Sequence, residues 1–339
     1  MTAMRTGTLN WRWRAAFLLL PVAAGLLALG IGRISIAPSQ VLGAIGEVFS
    51  GEADMASLLH RTLWRLRLPR ILLAALAGAG LAAAGCAFQS LFANPLATPD
   101  TLGVASGSSF GAALGLLLGL NLFGVQCTAL VMGGAAVALT WLAGSGKGRG
   151  MSTIVLSGIM MGSVFNALVS LVKFMADEES QLPAITYWLM GGLQNAAYET
   201  LWLGAIPIVL GIGILWLLRW RMNLLPLGED EARACGVNMT LLRAVTVVCA
   251  TMMTASCVSM CGQVGWVGLL VPHMCRMKFG SNHLSLLPAS VSTGAAFLIA
   301  VDTVARSASA QEIPISILTA IVGAPFFIIL MRRKGDWET

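Results

Sequence analysis

The stretch "HRTLWRLRLPRILLAALAGAGLAAAGCAFQSL", His60 to Leu91, sets Arg61, Arg65, Arg67 and Arg70 directly before a long apolar run. Roughly 20 consecutive apolar residues is the length of a membrane-crossing helix, and runs of that kind recur along the chain. With 57% of the 339 residues hydrophobic and only 11% charged, too little polar surface is left for a soluble globule. Lipid offers no partners for backbone N–H and C=O groups, and these runs are too long and continuous for barrel strands, so each should be a helix. The reading is an all-α polytopic membrane protein.

Ten runs qualify: 15–32, 69–91, 102–121, 123–144, 152–172, 200–219, 240–261, 264–280, 284–305 and 313–331. The first follows Arg5, Arg12 and Arg14 as a signal peptide would, but it is long for one and has no small-x-small cleavage site. Ten spans place both termini on one side. Of the 21 Lys and Arg residues, only Arg33, Arg61, Arg65, Arg67, Arg70, Lys173 and Arg306 fall on the other side, so the terminal side is expected to be cytoplasmic. A single transmembrane domain over 1–339 then has a cytoplasmic segment 1–14, an outer loop 33–68, an inner loop 222–239 and a cytoplasmic tail 332–339. The net charge of +6 does not point to nucleic acid, because the basic residues cap apolar runs. Four of the seven outer cations belong to the opening stretch. They read either as an interfacial anchor beside Trp64 or as an electrostatic seat for an acidic partner.

In "LGVASGSSFGAALGLLLG", Leu102 to Gly119, the glycines Gly103, Gly107, Gly111, Gly115 and Gly119 recur every four residues, a stripe for close helix packing. Ala74, Gly78, Ala82 and Cys86 make a similar face in the run 69–91. Polar groups within the spans are few: Asn166, Gln263, His273, Lys173 and Asp302. They form no relay of carboxylates, which argues against an ion-driven carrier. Asp302 and Arg306, at i and i+4, read as a helix-surface pair. Seven cysteines without a CxxC pair read as reduced packing residues. Cys257 and Cys261 share a face, and "PHMC" holds His273 and Cys275, but Met and Cys are ordinary helix fillers and no metal site is expected. "GSGKG", Gly144 to Gly148, is not a phosphate loop: Trp141 stands where the first glycine belongs, and Gly148 replaces the Ser or Thr. No catalytic constellation stands out.

The most polar inner stretch is "NLLPLGEDEARACGVNMTLL", with a short helical pattern that ends at Gly236 and with Val237 and Leu241 placed to pack it down. Here the chain resembles the FecCD-type permeases of ATP-binding-cassette importers for iron-siderophore, haem and cobalamin. The likeness rests on "RLPR", "NPLATPDTLGVASG", "YWLMGGL", "LGEDEARACGV", "GWVGLLVPHMCR" and "EIPISILTAIVGAPFFIILM", in family order from about residue 60 onward.

The resemblance implies a ten-helix, cobalamin-importer-permease-like fold in a bacterial inner membrane, paired as a homodimer. It further implies two ATPase subunits below, carrying the ATP and Mg, and a periplasmic or lipid-anchored substrate-binding protein above, with no cofactor in this chain. Leu227, Gly228, Glu229, Ala232, Arg233 and Gly236 map to the coupling loop, with Cys235 where leucine is more usual. Arg67 and Arg70, with Arg306 and Arg65, map to the docking arginines. Met160, Met161, Asn166 and Tyr187 map to the translocation path. "ESQLPAITYWLMGGL" looks more like the iron-siderophore members, with haem, cobalamin and molybdate as alternatives. The rival classes are a stand-alone secondary transporter and a membrane receptor.

Overall fold

The computed structural model describes residues 10–51, 53–144, 151–227, 229–309 and 311–332. Gly228, most of "GSGKG" and the segments 1–9 and 333–339 lie outside the described residues. The helices are α1 (Trp11–Gly30), α2 (Pro38–Ser50), α3 (Leu58–His60), α4 (Leu68–Leu91), α5 (Val104–Leu117), α6 (Leu122–Gly144) and α7 (Met151–Met175). There follow α8 (Gln181–Leu189), α9 (Tyr198–Leu218), α10 (Glu229–Ala234), α11 (Met239–Cys261), α12 (Val267–Phe279), α13 (His283–Ala308) and α14 (Ile315–Arg332). No strand occurs among the described residues.

Ten of these helices fall on the ten apolar runs, and among the described residues seven helical stretches are long and apolar enough to cross a membrane. Those seven are α1, the continuous stretch Leu58–Leu91, α6, α7, α9, α11 and α13. The remaining runs gave shorter helices. α5 has 14 residues and α12 has 13, roughly 20 Å each at 1.5 Å per residue. Irregular backbone precedes both, and α5 is also ended early, at Leu118, with Gly119 left-handed at φ 67. The segment before α5 holds Ala93 at φ 47, a 3-10 turn at Pro99–Leu102 and Gly103 at φ 75; the segment before α12 holds Gly262 at φ 69 and Trp266 at φ 69. Left-handed backbone suits glycine but costs a tryptophan about 1–3 kcal/mol, so the Trp266 position must be held by its surroundings. Its ring packs on Gly323 of α14, where a Cβ would lie 2.8 Å from the ring.

The predicted outer loop is largely helical. It contains α2, and a stretch that begins at Ser57, whose hydroxyl accepts from the His60 amide, passes through a π-helical segment at Arg61–Arg67 and continues into α4. Hydropathy ended that run at its arginines, but Leu63 and Arg67 face inward and extend the helix.

α4 is the hub, packed by α9, α11, α12 and α13. Its glycines permit this. A Cβ on Gly78 would overlap the Gly294 carbonyl of α13, and one on Gly85 would overlap the Gly268 carbonyl of α12. Each interior glycine gives up roughly 1 kcal/mol of helix propensity, which backbone-to-backbone packing offsets. The predicted α5 stripe works in the same way: Gly107, Gly111 and Gly115 lie against α6, while Gly103 abuts Gly158 and Gly162 of α7. Gly119 faces open space. In α1, Pro21 has no N–H to give the Phe17 carbonyl, and the Ser292 hydroxyl of α13 donates to that carbonyl at 2.5 Å instead.

Candidate functional site

Three features stand apart from general packing: a charged clasp at one end of the bundle, a small helix at the other, and the open face of α7 between them.

The clasp is built on arginines that sequence reasoning assigned to docking. Arg70, in the first turn of α4, donates from Nε to both Asp302 oxygens at 2.9 and 3.0 Å and from Nη2 to Oδ1 at 2.8 Å. Its Nη1 reaches the Glu312 carboxylate at 2.8–2.9 Å. Arg67 donates to the Leu29 and Ile34 carbonyls, and Arg306 to the Ala28 carbonyl. The last four carbonyls of α1, which no helical N–H can reach, are thereby all met. Ile31 N–H takes Leu27 at 3.2 Å and Ile36 N–H takes Gly30 at 3.0 Å, while the two guanidiniums take Ala28 and Leu29. Cations at a helix C-terminus also complement its dipole.

The expected docking arginines Arg67, Arg70 and Arg306 thus all point into the clasp. All three are buried, at 5%, 9% and 7% exposure, and hold partners within the chain. The expected Asp302–Arg306 pair is present at 4.0 Å, but it is buried rather than on the helix surface, and Arg70 is the closer partner of Asp302 at 2.8 Å. Arg61 and Arg65, with Arg33, are the exposed arginines of this end. Glu312, within "EIPIS", was missed because an acid outside a span carries no hydropathy signal.

At the opposite end, α10 is closed by paired backbone bonds, Val237 N–H to Ala232 O at 3.2 Å and Gly236 N–H to Arg233 O at 2.9 Å. This is a Schellman ending with Gly236 left-handed at φ 72. Ala232 and Val237 are buried beneath it, whereas Leu227, Arg233, Cys235 and Gly236 are exposed. Leu241 does not pack the loop down as expected: it is 61% exposed, because Asn238 caps α11 by accepting from the Leu241 amide at 3.0 Å and starts a new helix there. Glu229 opens α10. A cleft of about 420 Å³ runs along Arg233 and Gly236–Thr240.

α7 buries Ser157, Gly158, Phe165, Val169 and Val172 and leaves the other side open. Met160, Ser163, Asn166 and Ser170 lie on that open side, with Met161 half-buried at its edge. The hydroxyls of Ser163 and Ser170 return to carbonyls four residues back at 3.0 Å, so the exposed Asn166 amide is the strongest polar group presented. Tyr187, on α8, is 45% exposed and lines a polar recess of about 530 Å³ with Arg33, Ser309 and Glu312. A second cavity, of about 290 Å³, lies where the breaks before α5 and α12 meet, between Pro99, Asp100, Gln263 and Gly268. Irregular backbone at such depth is tolerated where it lines a cavity. Among the described residues no three His, Cys, Asp or Glu side chains come together as metal ligands. Cys261 instead donates to the Cys257 carbonyl at 2.8 Å.

A helical bundle with broken segments and an open helix face on which Ser163, Asn166 and Ser170 stand among exposed apolar side chains defines a multi-pass membrane protein of the transporter class. The chain belongs to the FecCD transport family, the permeases of ATP-binding-cassette importers, which it matches over residues 19–333. It is 41% identical over 319 residues to the molybdate import system permease protein MolB of Haemophilus influenzae, covering 93% of this chain and 94% of that one. It is 36% identical over 282 residues to a probable iron chelatin transport system permease protein of Helicobacter pylori, covering 82% and 85%. To the vitamin B12 import system permease protein BtuC of Klebsiella pneumoniae it is 34% identical over 330 residues, covering 96% and 95%. Among solved structures, an inward-facing conformation of a metal-chelate type ABC transporter superposes with a TM-score of 0.86 at 38% identity, covering 96% of this chain and all of that one.

Proposed function

We propose that the chain is one of two identical permease subunits in a bacterial inner-membrane importer, each with ten spans and cytoplasmic termini, and that it passes molybdate or a metal chelate inward by alternating access. The observation that carries this reading is the open face of α7. Ser163, Asn166 and Ser170 recur there at i, i+3 and i+7 on an otherwise apolar span, a pattern that suits neither lipid nor core and fits a path between two copies. No fixed charge stands on this stripe, so solute is held weakly and released readily.

The likeness to MolB over nearly the whole of both chains favours a tetrahedral oxyanion. A ferric chelate, the substrate expected from "ESQLPAITYWLMGGL", is the second reading, supported by the Helicobacter relative. In either case α10 and the exposed Leu227, Arg233 and Leu241 form the surface that two ATPase subunits grip, with ATP and Mg bound on them. The outer arginines that meet a substrate-binding protein are Arg61 and Arg65, with the Arg70–Asp302–Glu312 clasp as the frame behind them.

The test is uptake of radiolabelled molybdate and of a radiolabelled ferric siderophore by cells lacking the chain and by complemented cells, with native mass spectrometry of the complex purified in mild detergent. Molybdate uptake restored with two copies and two ATPases supports the first reading, and siderophore uptake the second. A lone chain that still accumulates solute would establish a stand-alone carrier instead. Arg61→Glu with Arg65→Glu should weaken binding-protein association about tenfold at low salt and little at high salt.

A further inference from the structure

Proline geometry opens a recess on the lipid-facing side of the bundle that none of the functions above uses. Pro21 of α1 and Pro288 of α13 interrupt facing helices beside the last turn of α9, leaving a groove of about 560 Å³. Its walls are apolar, with Phe17 and both prolines among them, and Trp216, Arg14 and Arg219 complete its lining. Arg219 is held in place: its Nη1 donates to the Trp216 carbonyl at 2.6 Å, and its guanidinium lies 4.8 Å from the centre of the Trp216 ring.

These are the inner ends of their helices in the proposed orientation. Exposed Trp11, Trp216 and Trp220 gather there with exposed Arg12 and Arg221, the aromatic and basic belt that marks headgroup depth. Apolar walls below and two guanidiniums above match one class of molecule in a bacterial membrane. An acyl chain fills such a groove, while a headgroup phosphate takes charge-assisted hydrogen bonds from the arginines.

We propose that this groove binds one anionic phospholipid per chain, its phosphate on Arg14 and Arg219 and an acyl chain along Phe17, Pro21 and Pro288. The bound lipid bridges α1, α9 and α13 at the inner leaflet. The proposal rests on the membrane orientation and is independent of the transported solute.

The test uses the full chain in neutral detergent, titrated with phosphatidylglycerol or phosphatidylethanolamine and followed by native mass spectrometry. One phosphatidylglycerol should bind in preference to the zwitterionic lipid. Arg14→Gln with Arg219→Gln should weaken it about 30-fold, from two surface charges at headgroup depth. Val291→Trp, which fills the groove and leaves both arginines in place, should remove it, and the control pair Arg33→Gln with Arg61→Gln should retain it. The proposal is overturned if the arginine pair can be removed without loss of lipid, if phosphatidylethanolamine binds equally well, or if inorganic phosphate alone displaces the lipid at equal concentration. Should Val291→Trp not fold, the surface arginine pair still decides. The assay needs neither nucleotide nor solute, so failure of the importer reading would leave its outcome unaffected.

Discussion

α4 and α7 are both apolar, both about seven turns long and both candidate spans, yet 83% of the most apolar part of Leu58–Leu91 is buried within the chain and only 22% of that of α7. The difference lies in side-chain size rather than polarity. α4 reads Ala, Gly, Leu, Cys along its length, so neighbouring backbones close on it from several directions. α7 spends bulk and hydroxyls on a face that nothing in the chain covers. In lipid, where burial brings no hydrophobic gain between helices, smallness decides which helix becomes the hub.

The sharpest way to break the contrast is to put size into the hub. Gly85→Leu drives a side chain into the Gly268 carbonyl, with a cost of more than about 3 kcal/mol because backbone cannot yield. Loss of monodisperse protein in detergent is the expected readout, and a well-folded, thermally unchanged variant would sink the account of α4. Next in size is Asp302→Ala, which leaves the buried Arg70 with Glu312 alone and should cost about 3–5 kcal/mol. Glu312→Ala, at the more exposed partner, should cost clearly less, and a thermal melt of the two side by side gives the order. On α7 the same kind of enlargement should leave stability alone: Ser163→Leu is expected to change it by less than about 0.5 kcal/mol while lowering solute uptake severalfold. A variant that melts early but transports normally would place Ser163 in a core.

The smallest effect concerns the turn after α7. The hydroxyl and backbone N–H of Ser180 donate to Asp177 at 2.7 and 2.8 Å and hold its carboxyl below the usual carboxylate range. A depressed carboxyl stabilises at pH above its unfolded value and loses that contribution as pH falls through its folded one. Hydrogen exchange of residues 177–181 should therefore quicken in acid, and Asp177→Asn should show little of that pH dependence.

Much of this was legible in the residues. Every one of the ten apolar runs became a helix, and the glycine stripe of α5 met α6 and α7 as its spacing implied. What hydropathy could not register was partnership. Arg67, Arg70 and Arg306 looked like outward charges because a sequence does not show which carbonyls lie unpaired nearby; once α1 ends at Gly30 beside them, their burial follows. Nor was the shortness of α12 legible in composition, since "CGQVGW" carries neither a charge nor a proline to mark a break. Its backbone breaks, at Gly262 and Trp266, are positional facts.

The capping of α1 has a mechanical consequence. Only 11% of the apolar stretch of α1 is buried within the chain, so along most of its length the helix is covered by α13 alone among its major neighbours. Its last turn is gripped through Arg67 beside α4 and Arg306 on α13. A force applied at the N-terminus in a bilayer should draw α1 out smoothly and then stall near residues 28–30, where two guanidiniums must let go before the hub feels any load.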